Sequence, residues 1–268
     1  MELEGKRVLL SGATGGIGRA IAEELAGHGA KLVLSSRRKA ELEELARSLP
    51  GGARRHTVIV SDLAKAGAAE RLVRDAGNVD ALVANAALPA TGRLESFSSN
   101  ELSRALRVNF ESPIAMARAL APKLAERGEG HLVFISSLSG KVSSPRSSVY
   151  NATKFGLRGF AFGLREDLYP RGVGVSIVSP GFVREAGMFA DSGTKPPPGL
   201  GTTTPRKVAK AVTRAIRRNR SEITVAPRRQ RFLTEIGYRH PEFAGRMQRR
   251  GGADRIARKL AEGQADKR

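Results

Sequence analysis

The chain has 268 residues, of which 40% are hydrophobic and 27% charged, and its formal net charge is +20. These figures are ordinary for a soluble globular protein and leave room for one large α/β domain with a sizeable core. The sequence contains no cysteine, which excludes disulfides, thiolate metal sites and a cysteine nucleophile. Its four histidines are scattered without metal-ligand spacing, so the sequence predicts no metal site.

The N-terminus leads almost at once into a predicted strand, whereas the C-terminal part of the chain is strongly basic. No apolar run is long enough to span a bilayer, and the first strand begins too early to leave room for a signal peptide, so we expect a cytoplasmic protein. Residues 205–268 hold 19 Lys and Arg against six Asp and Glu, a local charge of +13. This field either attracts an anionic partner or is a solvated arginine-rich surface, and charge alone does not separate the two interpretations.

In chain order, short apolar runs alternate with segments of helical periodicity. The predicted strands cover residues 6–10, 31–35, 56–60, 81–84, 132–135, 173–178 and 221–226. The predicted helices cover residues 16–27, 39–48, 63–75, 99–127, 149–168 and 205–218. This alternation, with strands rich in Val, Ile and Leu, predicts a parallel sheet covered on both faces. The expected fold is a single Rossmann-type, doubly wound α/β sheet of about seven strands.

Two segments depart from the alternation. Residues 181–204 are rich in Pro and Gly and predict a mobile loop. The apolar side chains of this loop either pack against the body or line a pocket for a hydrophobic substrate; they are Phe182, Met188, Phe189 and Leu200. Residues 228–268 form a basic C-terminal extension with the spacing of short amphipathic helices, beside a dinucleotide-binding and catalytic domain at residues 1–227.

A glycine-rich turn, Ser-Gly-Ala-Thr-Gly-Gly-Ile-Gly at residues 11–18, follows the first strand. Glycines between a strand and a helix let the backbone approach a phosphate, and the helix N-terminus supplies N–H groups and a positive dipole. We therefore predict a dinucleotide site at this turn. Its expected binding residues are Gly12, Thr14, Gly15, Gly16, Ile17 and Gly18.

The second strand ends without the acidic residue that would bind both ribose hydroxyls of NAD. Ser36, Arg37 and Arg38 follow it instead, and the first acidic residue is Glu41. Because a guanidinium group suits a 2′-phosphate, we favour NADP(H) over NAD(H). We therefore expect Ser36, Arg37 and Arg38 to contact the cofactor; the alternative, that the two arginines merely face water, applies more to Arg38 than to Arg37.

Tyr150 and Lys154 are four residues apart on a predicted helix, where positions i and i+4 share one face. A neighbouring ammonium group favours the phenolate, so we expect Lys154 to lower the pKa of Tyr150 and make it a proton donor near neutral pH. Alone, this spacing is weak support, because most surface pairs of this kind have no function.

These motifs, together with others in the same order, resemble the classical short-chain dehydrogenase/reductase family. Beside the glycine turn, positions that resemble the family's cofactor site are Asp62, Leu63, Asn85, Ala86, Tyr150, Lys154, Pro180 and Gly181. Positions that resemble its catalytic set are Asn109, Ser137, Tyr150 and Lys154. The chain departs from the family pattern at Ala84 and Ala87, and the likeness spans about residues 5–226.

The resemblance implies hydride transfer between NADPH and a carbonyl or alcohol substrate. Tyr150 would protonate the developing alkoxide, Ser137 would donate to the same oxygen, and Lys154 would bind the nicotinamide ribose. Asn109 would hold a water that links Lys154 to solvent. Structural alternatives exist for each: Ser137 as a strand-end cap, Asn109 as a residue that bonds backbone, and Lys154 as a solvated lysine.

The leading expectation is therefore an NADPH-dependent carbonyl reductase acting on a hydrophobic ketone, acyl or lipid-like compound. The alternative is a catalytically silent NADP(H)-binding regulatory protein. The resemblance also implies a homodimer or homotetramer built on helices around residues 104–124 and 149–168. For the basic extension the candidate partners are an anionic membrane and an acidic carrier protein; nucleic acid is disfavoured, and a purely structural role is the leading expectation.

Overall fold

The computed structural model describes residues 1–197 and 199–264. Pro198 of the predicted loop and residues 265–268 of the predicted extension lie outside the described residues. The described strands are β1 Arg7–Ser11, β2 Lys31–Ser36, β3 Thr57–Val60, β4 Ala81–Ala84, β5 Gly130–Ile135, β6 Val173–Pro180 and β7 Glu222–Val225. They form one parallel sheet in the order β3-β2-β1-β4-β5-β6-β7. The prediction of a doubly wound sheet is confirmed.

Helices lie between the strands and beyond the last one. The α-helices are α1 Gly16–Gly27, α2 Lys39–Ser48, α3 Gly52–Arg55, α4 Ala68–Ala76, α5 Ser99–Leu106, α6 Ser112–Arg127, α7 Ser148–Leu168, α8 Met188–Asp191, α9 Pro205–Arg218, α10 Arg228–Arg239, α11 Pro241–Arg250 and α12 Ala253–Glu262. Short 3₁₀ turns cover Leu94–Ser96, Leu138–Gly140 and Tyr169–Arg171.

The hydrophobic core has two layers, one on each face of the sheet. Val8 and Leu10 of β1 pack with α1, α2 and α9, whereas Leu9 packs on the opposite face with α4, α6 and α7. All three side chains are fully buried. Alternate residues of a strand point to opposite faces, so a strand covered by helices on both sides has to be apolar throughout.

The predicted helix at residues 63–75 begins later than expected, at Ala68. Asp62 Oδ1 accepts a hydrogen bond from the Ala64 backbone N–H at 3.1 Å, which holds the chain in a turn. Gly67, with φ of +68°, occupies the left-handed region immediately before the helix. A side-chain-to-backbone bond of this kind competes with the first helical turn, and helical periodicity alone does not reveal it.

The predicted continuous helix at residues 99–127 is also interrupted. A π-helical turn, Arg107–Glu111, separates α5 from α6 and contains Asn109. Such turns inside α-helices are rare and occur often at functional sites. At the other end of α5, Ser98 and Glu101 form a reciprocal capping box that fixes the start of the helix.

The carboxyl ends of β6 and β7 lead into the C-terminal part of the chain. The segment after β6 contains the short helix α8 and a bridge between Val183 and Thr203. After β7 come α10, α11 and α12, which we call the C-terminal helices. Within the described part of the chain, no helix combines the length and apolarity needed to cross a membrane.

Candidate active site

The glycine turn after β1 is packed too closely for side chains. Gly12 has φ of +66°, and a Cβ there would lie 2.8 Å from Ala86 Cα. A Cβ on Gly18 would lie 2.1 Å from the Gly12 carbonyl oxygen. Glycine is therefore required at both positions by the contact between the turn, the start of α1 and the end of β4.

Ser11 and Asn85 fasten this turn to the neighbouring strand. The Ser11 hydroxyl accepts the backbone N–H groups of Asn85 at 3.1 Å and of Ala86 at 3.2 Å. The Asn85 side-chain amide donates to the carbonyls of Ser11 at 3.3 Å and Gly12 at 3.0 Å. The side chain of Asn85 thus holds the backbone that forms the proposed cofactor site.

The residues at the turn fit a dinucleotide. Gly15 caps α1 without a side-chain hydrogen bond, and the first turn of that helix contains no acidic residue. Free N–H groups and a positive helix end are therefore available to a phosphate. Ala186 lies directly against Gly16, where a Cβ would meet it, so the segment after β6 passes beside this turn.

The two arginines after β2 have different surroundings. Arg38 Nη2 donates to the Thr14 carbonyl at 3.1 Å and to the Thr14 hydroxyl at 2.9 Å, and Nη1 pairs with Glu41 at 3.0 Å. Arg37 is exposed. The alternative that Arg38 merely faces water is not borne out, because its guanidinium reaches back to the glycine turn. Ser36 accepts the Arg38 backbone N–H at 3.1 Å and shapes this bend.

The segment after β3 is tied to the helices opposite it. Leu63 is buried, and its carbonyl accepts the Ser112 hydroxyl at 3.0 Å, while Asp62 forms the turn described above. Arg107 donates to the Ala64 carbonyl at 3.0 Å. These bonds place Asp62 and Leu63 at the same edge of the sheet as the glycine turn, where parallel sheets bind ligands.

Tyr150, Lys154 and Ser137 come together at the carboxyl end of β5. Tyr150 and Lys154 lie one turn apart on α7, and the ammonium nitrogen is 5.6 Å from the centre of the phenol ring. Ser137 lies two residues after the end of β5, and its hydroxyl is close enough to that of Tyr150 to influence its pKa. Lys154 is only 3% exposed and donates to the Ile135 carbonyl at 3.0 Å. An alcohol, a phenol and an amine thus share one small volume.

The pKa values of this pair differ from the prediction. Burial raises the pKa of Tyr150 to about 12, with the hydrogen bond from Ser137 acting in the opposite direction. Burial also lowers the pKa of Lys154 to about 8. The expectation that Lys154 depresses the Tyr150 pKa is wrong for the protein alone, because desolvation disfavours both charged forms and the ammonium group is bonded to Ile135.

Ser137 and Asn109 also have the structural roles that the sequence left open. Ser137 Oγ accepts the Ser139 backbone N–H at 3.1 Å and so caps the turn after β5. Asn109 is fully buried; its Oδ1 accepts the Leu88 N–H at 2.6 Å, and its Nδ2 donates to the Leu88 carbonyl at 2.9 Å. Both ends of the Asn109 amide are therefore occupied by backbone.

Pro180 and Gly181 lie at the end of β6. The Gly181 N–H donates to the Val225 carbonyl at 3.0 Å, which extends the pairing with β7. A Cβ on Gly181 would meet the Gln230 side chain and Ala226. The first of the C-terminal helices is therefore packed against the turn that follows β6.

Sequence reasoning missed two side chains that hold the site together. Asn151 Nδ2 donates to the carbonyls of Ser139 at 2.7 Å and Val142 at 3.0 Å, which ties the segment after Ser137 to α7. Glu222 of β7 accepts from Arg158 of α7 at 3.0 Å and pairs with Lys141 of that same segment at 2.9 Å. The only sequence signal for the role of Asn151 is its position next to Tyr150. No local sequence pattern connects Glu222 to Arg158 and Lys141.

Together, the doubly wound sheet, the glycine turn and the Ser137–Tyr150–Lys154 group define a dinucleotide-dependent oxidoreductase. The chain belongs to the short-chain dehydrogenase/reductase family. The family's sequence model, described as short chain dehydrogenase, matches residues 6–196. The resemblance deduced from the motifs is confirmed. The protein is accordingly an NAD(P)-dependent oxidoreductase of carbonyl and alcohol groups.

Individual relatives agree with this assignment. The chain is 34% identical over 227 residues to "Ketoacyl reductase HetN" from Nostoc sp., covering 83% of this chain and 79% of that protein. It is 36% identical to mouse "Dehydrogenase/reductase SDR family member 7B" over 66% of this chain, but spans only 57% of that protein. Among solved structures, 3-ketoacyl-(acyl-carrier-protein) reductase from Brucella melitensis, complexed with NADH, is 26% identical with a TM-score of 0.74, covering 85% of this chain and 99% of the other.

Proposed function

We propose that this protein reduces a hydrophobic ketone or acyl carbonyl compound with NADPH. The observation that carries the proposal is the convergence of Ser137, Tyr150 and Lys154 at the carboxyl end of β5, at the same edge of the sheet as the glycine turn. The bound cofactor supplies the hydride. The chain's own groups have to orient the carbonyl, stabilise the charge that develops on its oxygen and protonate it.

In this mechanism Tyr150 is the proton donor. Its pKa of about 12 keeps the hydroxyl protonated at any physiological pH, so the donor form is always present. Ser137, whose hydroxyl lies close to that of Tyr150, donates its own proton in a hydrogen bond to the same carbonyl oxygen and fixes its position. A developing alkoxide between these two hydroxyls is basic enough to take the phenolic proton, and transfer completes the reduction.

Lys154 replaces the proton that Tyr150 gives up. Its pKa of about 8 means that it is mostly charged at neutral pH and yet gives up its proton more readily than an ordinary lysine. A charged neighbour also stabilises the transient phenolate. For Asn109 we propose the proton path to solvent with its backbone carbonyl as the acceptor, since Leu88 occupies its side-chain amide.

The preference for NADPH rests on Arg38. Its guanidinium lies on Thr14 at the glycine turn, and small Ser36 leaves room beside it. A 2′-phosphate there would gain charge-assisted hydrogen bonds. We expect Arg38→Ala to lower the ratio of kcat/KM for NADPH to kcat/KM for NADH by about tenfold or more. Arg37→Ala is the matched control and should lower it less; equal effects would contradict the assignment to Arg38.

A hydrophobic substrate is suggested by the segment after β6. The rings of Phe182 and Phe189 contact each other, with centroids 4.7 Å apart, and Met188 begins the short helix α8. The name of the Nostoc relative, a ketoacyl reductase, favours an acyl ketone within this class.

The direct test is NADPH oxidation followed at 340 nm against a panel of ketones and acyl carbonyl compounds. We expect turnover, and we expect Tyr150→Phe to lower kcat/KM about a hundredfold or more while NADPH binding persists. Tight NADPH binding with no turnover on any carbonyl compound would favour the alternative of a silent NADP(H)-binding regulator. Full activity in Tyr150→Phe would exclude Tyr150 as the donor.

We also propose that α10 and α11 contact an anionic membrane surface. Their exposed apolar side chains are Phe232, Leu233, Tyr238, Phe243 and Met247. The same two helices carry Arg228, Arg229, Arg231, Arg239, Arg246, Arg249 and Arg250. Apolar groups interleaved with arginine suit an interface of acyl chains and anionic headgroups.

Sedimentation with vesicles tests this contact. We expect the full chain to pellet with phosphatidylserine vesicles at low salt, and less so at high salt or with phosphatidylcholine alone. Phe232→Ser combined with Phe243→Ser should weaken binding, whereas Tyr169→Ser, which alters an equally exposed aromatic outside these helices, should not. Equal binding by all three proteins, or binding of an acidic carrier protein instead, would contradict it.

A homo-oligomer is the remaining proposal about partners. Leu106 at the end of α5 and Phe155 of α7 are large apolar side chains that remain exposed in the single chain. We propose that a second copy covers these two helices, as in the dimer or tetramer expected from the sequence. Light scattering after gel filtration measures the mass directly, and a monomer at all concentrations would contradict this.

A further inference from the structure

Helix α12 joins two segments that are far apart in the sequence. At its start, Asp254 forms two hydrogen bonds with Arg146, Nε to Oδ1 at 2.7 Å and Nη2 to Oδ2 at 3.0 Å. Just past its end, Gln264 Nε2 donates to the Met188 carbonyl at 2.9 Å. A ten-residue helix is about 15 Å long, so α12 spans a gap of that order between its two attachments.

Both attachments lie on segments that carry or adjoin residues of the candidate active site. Arg146 lies in the segment between Ser137 and Tyr150, and its backbone carbonyl accepts the Gly92 N–H at 2.6 Å. Met188 lies two residues after Ala186, which rests on Gly16 of the glycine turn. The helix therefore joins the segment that precedes Tyr150 to the segment that contacts the glycine turn.

The neighbouring helix strengthens the first attachment. Gln248 near the end of α11 donates to the Ser143 carbonyl at 2.9 Å. At the other end, a Cβ on Gly263 would lie 2.7 Å from the Ser192 carbonyl oxygen, which shows how closely the chain after α12 lies on the segment beyond α8. Each end of α12 is thus held by more than one contact.

The side chains of α12 divide into two faces. Ala257 and Ala261 are buried, Ile256 and Leu260 are half-buried, and Arg258 and Lys259 are exposed. Small residues at the buried positions let the helix approach the body closely. The two larger apolar residues lie one turn apart on the inner side, only partly covered by protein.

We infer that α12 is the roof of the substrate-binding cleft and that Ile256 and Leu260 limit the size of the apolar group that a substrate can carry. The inference rests on the proposed function, because it takes the space beside Tyr150 to be the site of a carbonyl substrate. The partly covered apolar side chains are the surface that such a group would complete.

Because the natural chain has no cysteine, single introduced thiols can be labelled without background. The test compares Ile256→Cys and Leu260→Cys with Lys259→Cys, an outward position on the same helix. Labelling rates with a maleimide are measured alone, with NADP⁺, and with NADP⁺ plus the best-binding ketone of a panel from acetone to acetophenone and 2-decanone. NADP⁺ and a ketone are both oxidised, so no turnover occurs.

We expect the ketone to slow labelling at 256 and 260 by about tenfold when it is present at ten times its dissociation constant, and to leave 259 unchanged. If the ketone protects neither inner position while NADP⁺ still binds, the inference that α12 covers the substrate-binding cleft is overturned. Protection does not require reduction. Protected thiols without any turnover would therefore overturn the proposed function and support the position of α12 over the substrate. Turnover with unprotected thiols would support the proposed function and overturn that position of α12.

A second measurement compares the kcat/KM values for bulky and small ketones. Ile256→Ala and Leu260→Ala should each shift the ratio of kcat/KM for a bulky ketone to kcat/KM for a small one by about tenfold toward the bulky one. Arg258→Ala is the control and should leave the ratio unchanged. A uniform fall in kcat/KM for every ketone, with unchanged ratios, would mean that these side chains only stabilise the fold and would overturn the inference.

Discussion

Lys154 lies in surroundings that are unusual for a lysine. It is 3% exposed and has its ammonium group on the Ile135 carbonyl, and burial lowers its pKa to about 8. A solvent-exposed lysine, in contrast, stays charged to about pH 10. The proposed mechanism uses the charged form, and the pKa of Tyr150 is too high for that residue to titrate in the working range. Lys154 should therefore govern the pH dependence of reduction.

We expect kcat/KM for ketone reduction to be level below about pH 7 and to fall as the pH rises through 8, the pKa of Lys154. Lys154→Gln should lower the activity and remove this titration. Lys123→Gln, on the exposed side of α6, serves as the control and should retain the profile. A profile that stays level to pH 10 in the natural protein would show that Lys154 is not the titrating group.

The same pKa has a consequence for stability. The lowered pKa means that the unfolded chain binds more protons than the folded one between about pH 8 and 10.5, so the contribution of Lys154 to the free energy of unfolding increases with pH over that window. At pH 7 the buried charge is destabilising. We expect Lys154→Met to raise the free energy of unfolding at pH 7 by about 1–3 kcal/mol, as measured by urea unfolding, while activity is lost. Reduced stability would contradict this.

At the scale of elements, the start of α1 depends on its contact with the turn before it. Gly18 and Gly27 lie on the same helix, but a Cβ would collide with the Gly12 carbonyl at the first and meets nothing within 4 Å at the second. We expect Gly18→Ala to weaken NADPH binding at least about tenfold and to lower the melting temperature. Gly27→Ala should leave binding unchanged and be neutral or slightly stabilising. Similar binding by both variants would contradict the packing described here.

Glu222 connects three elements near the site. Burial tends to raise its pKa, but hydrogen bonds from Arg158 and Lys141 outweigh burial and lower the pKa overall. A lowered carboxyl pKa stabilises the fold above the ordinary value of 4.5, and this contribution is lost as the pH falls through the lowered value.

We expect Glu222→Gln to destabilise the protein by about 2–4 kcal/mol at pH 7, because two cations lose their partner. The difference should shrink below pH 4.5. Glu129→Gln, which breaks an exposed pair with Lys6, should cost less than about 1 kcal/mol. Denaturant unfolding at several pH values measures both, and equal losses in the two variants would contradict the role assigned to Glu222.

For the whole molecule, local patterns predicted the sheet, its helices and the order of the motifs. They did so because the central strands are apolar on both faces and several of the motifs follow the carboxyl end of a strand. The late start of α4 depends on a local side-chain-to-backbone bond of Asp62 that helical periodicity does not reveal. The bonds of Asn109 to Leu88 and the reach of Arg38 to Thr14 join segments more than twenty residues apart. The pKa of Tyr150 depends on burial, which sequence spacing does not reveal.

The position of the C-terminal helices also depends on contacts between distant parts of the chain. The sequence predicts their amphipathic spacing, but it does not predict that α12 lies between Arg146 and Met188. This placement depends on hydrogen bonds between residues that lie 108 and 76 positions apart, which have no sequence signature of their own. The charge of the region, equally, does not reveal which helices turn their apolar residues outward.

A double-mutant cycle on Ser137 and Tyr150 tests most directly whether the two hydroxyls act on one oxygen. The kcat/KM for the best ketone is measured in Ser137→Ala, Tyr150→Phe and the double variant, with NADPH binding checked in each. If both groups serve the same transition state, Tyr150→Phe alone should cost about a hundredfold or more, and adding Ser137→Ala should cost less than about threefold further. Losses that simply multiply, or a double variant as active as the natural protein, would contradict the account.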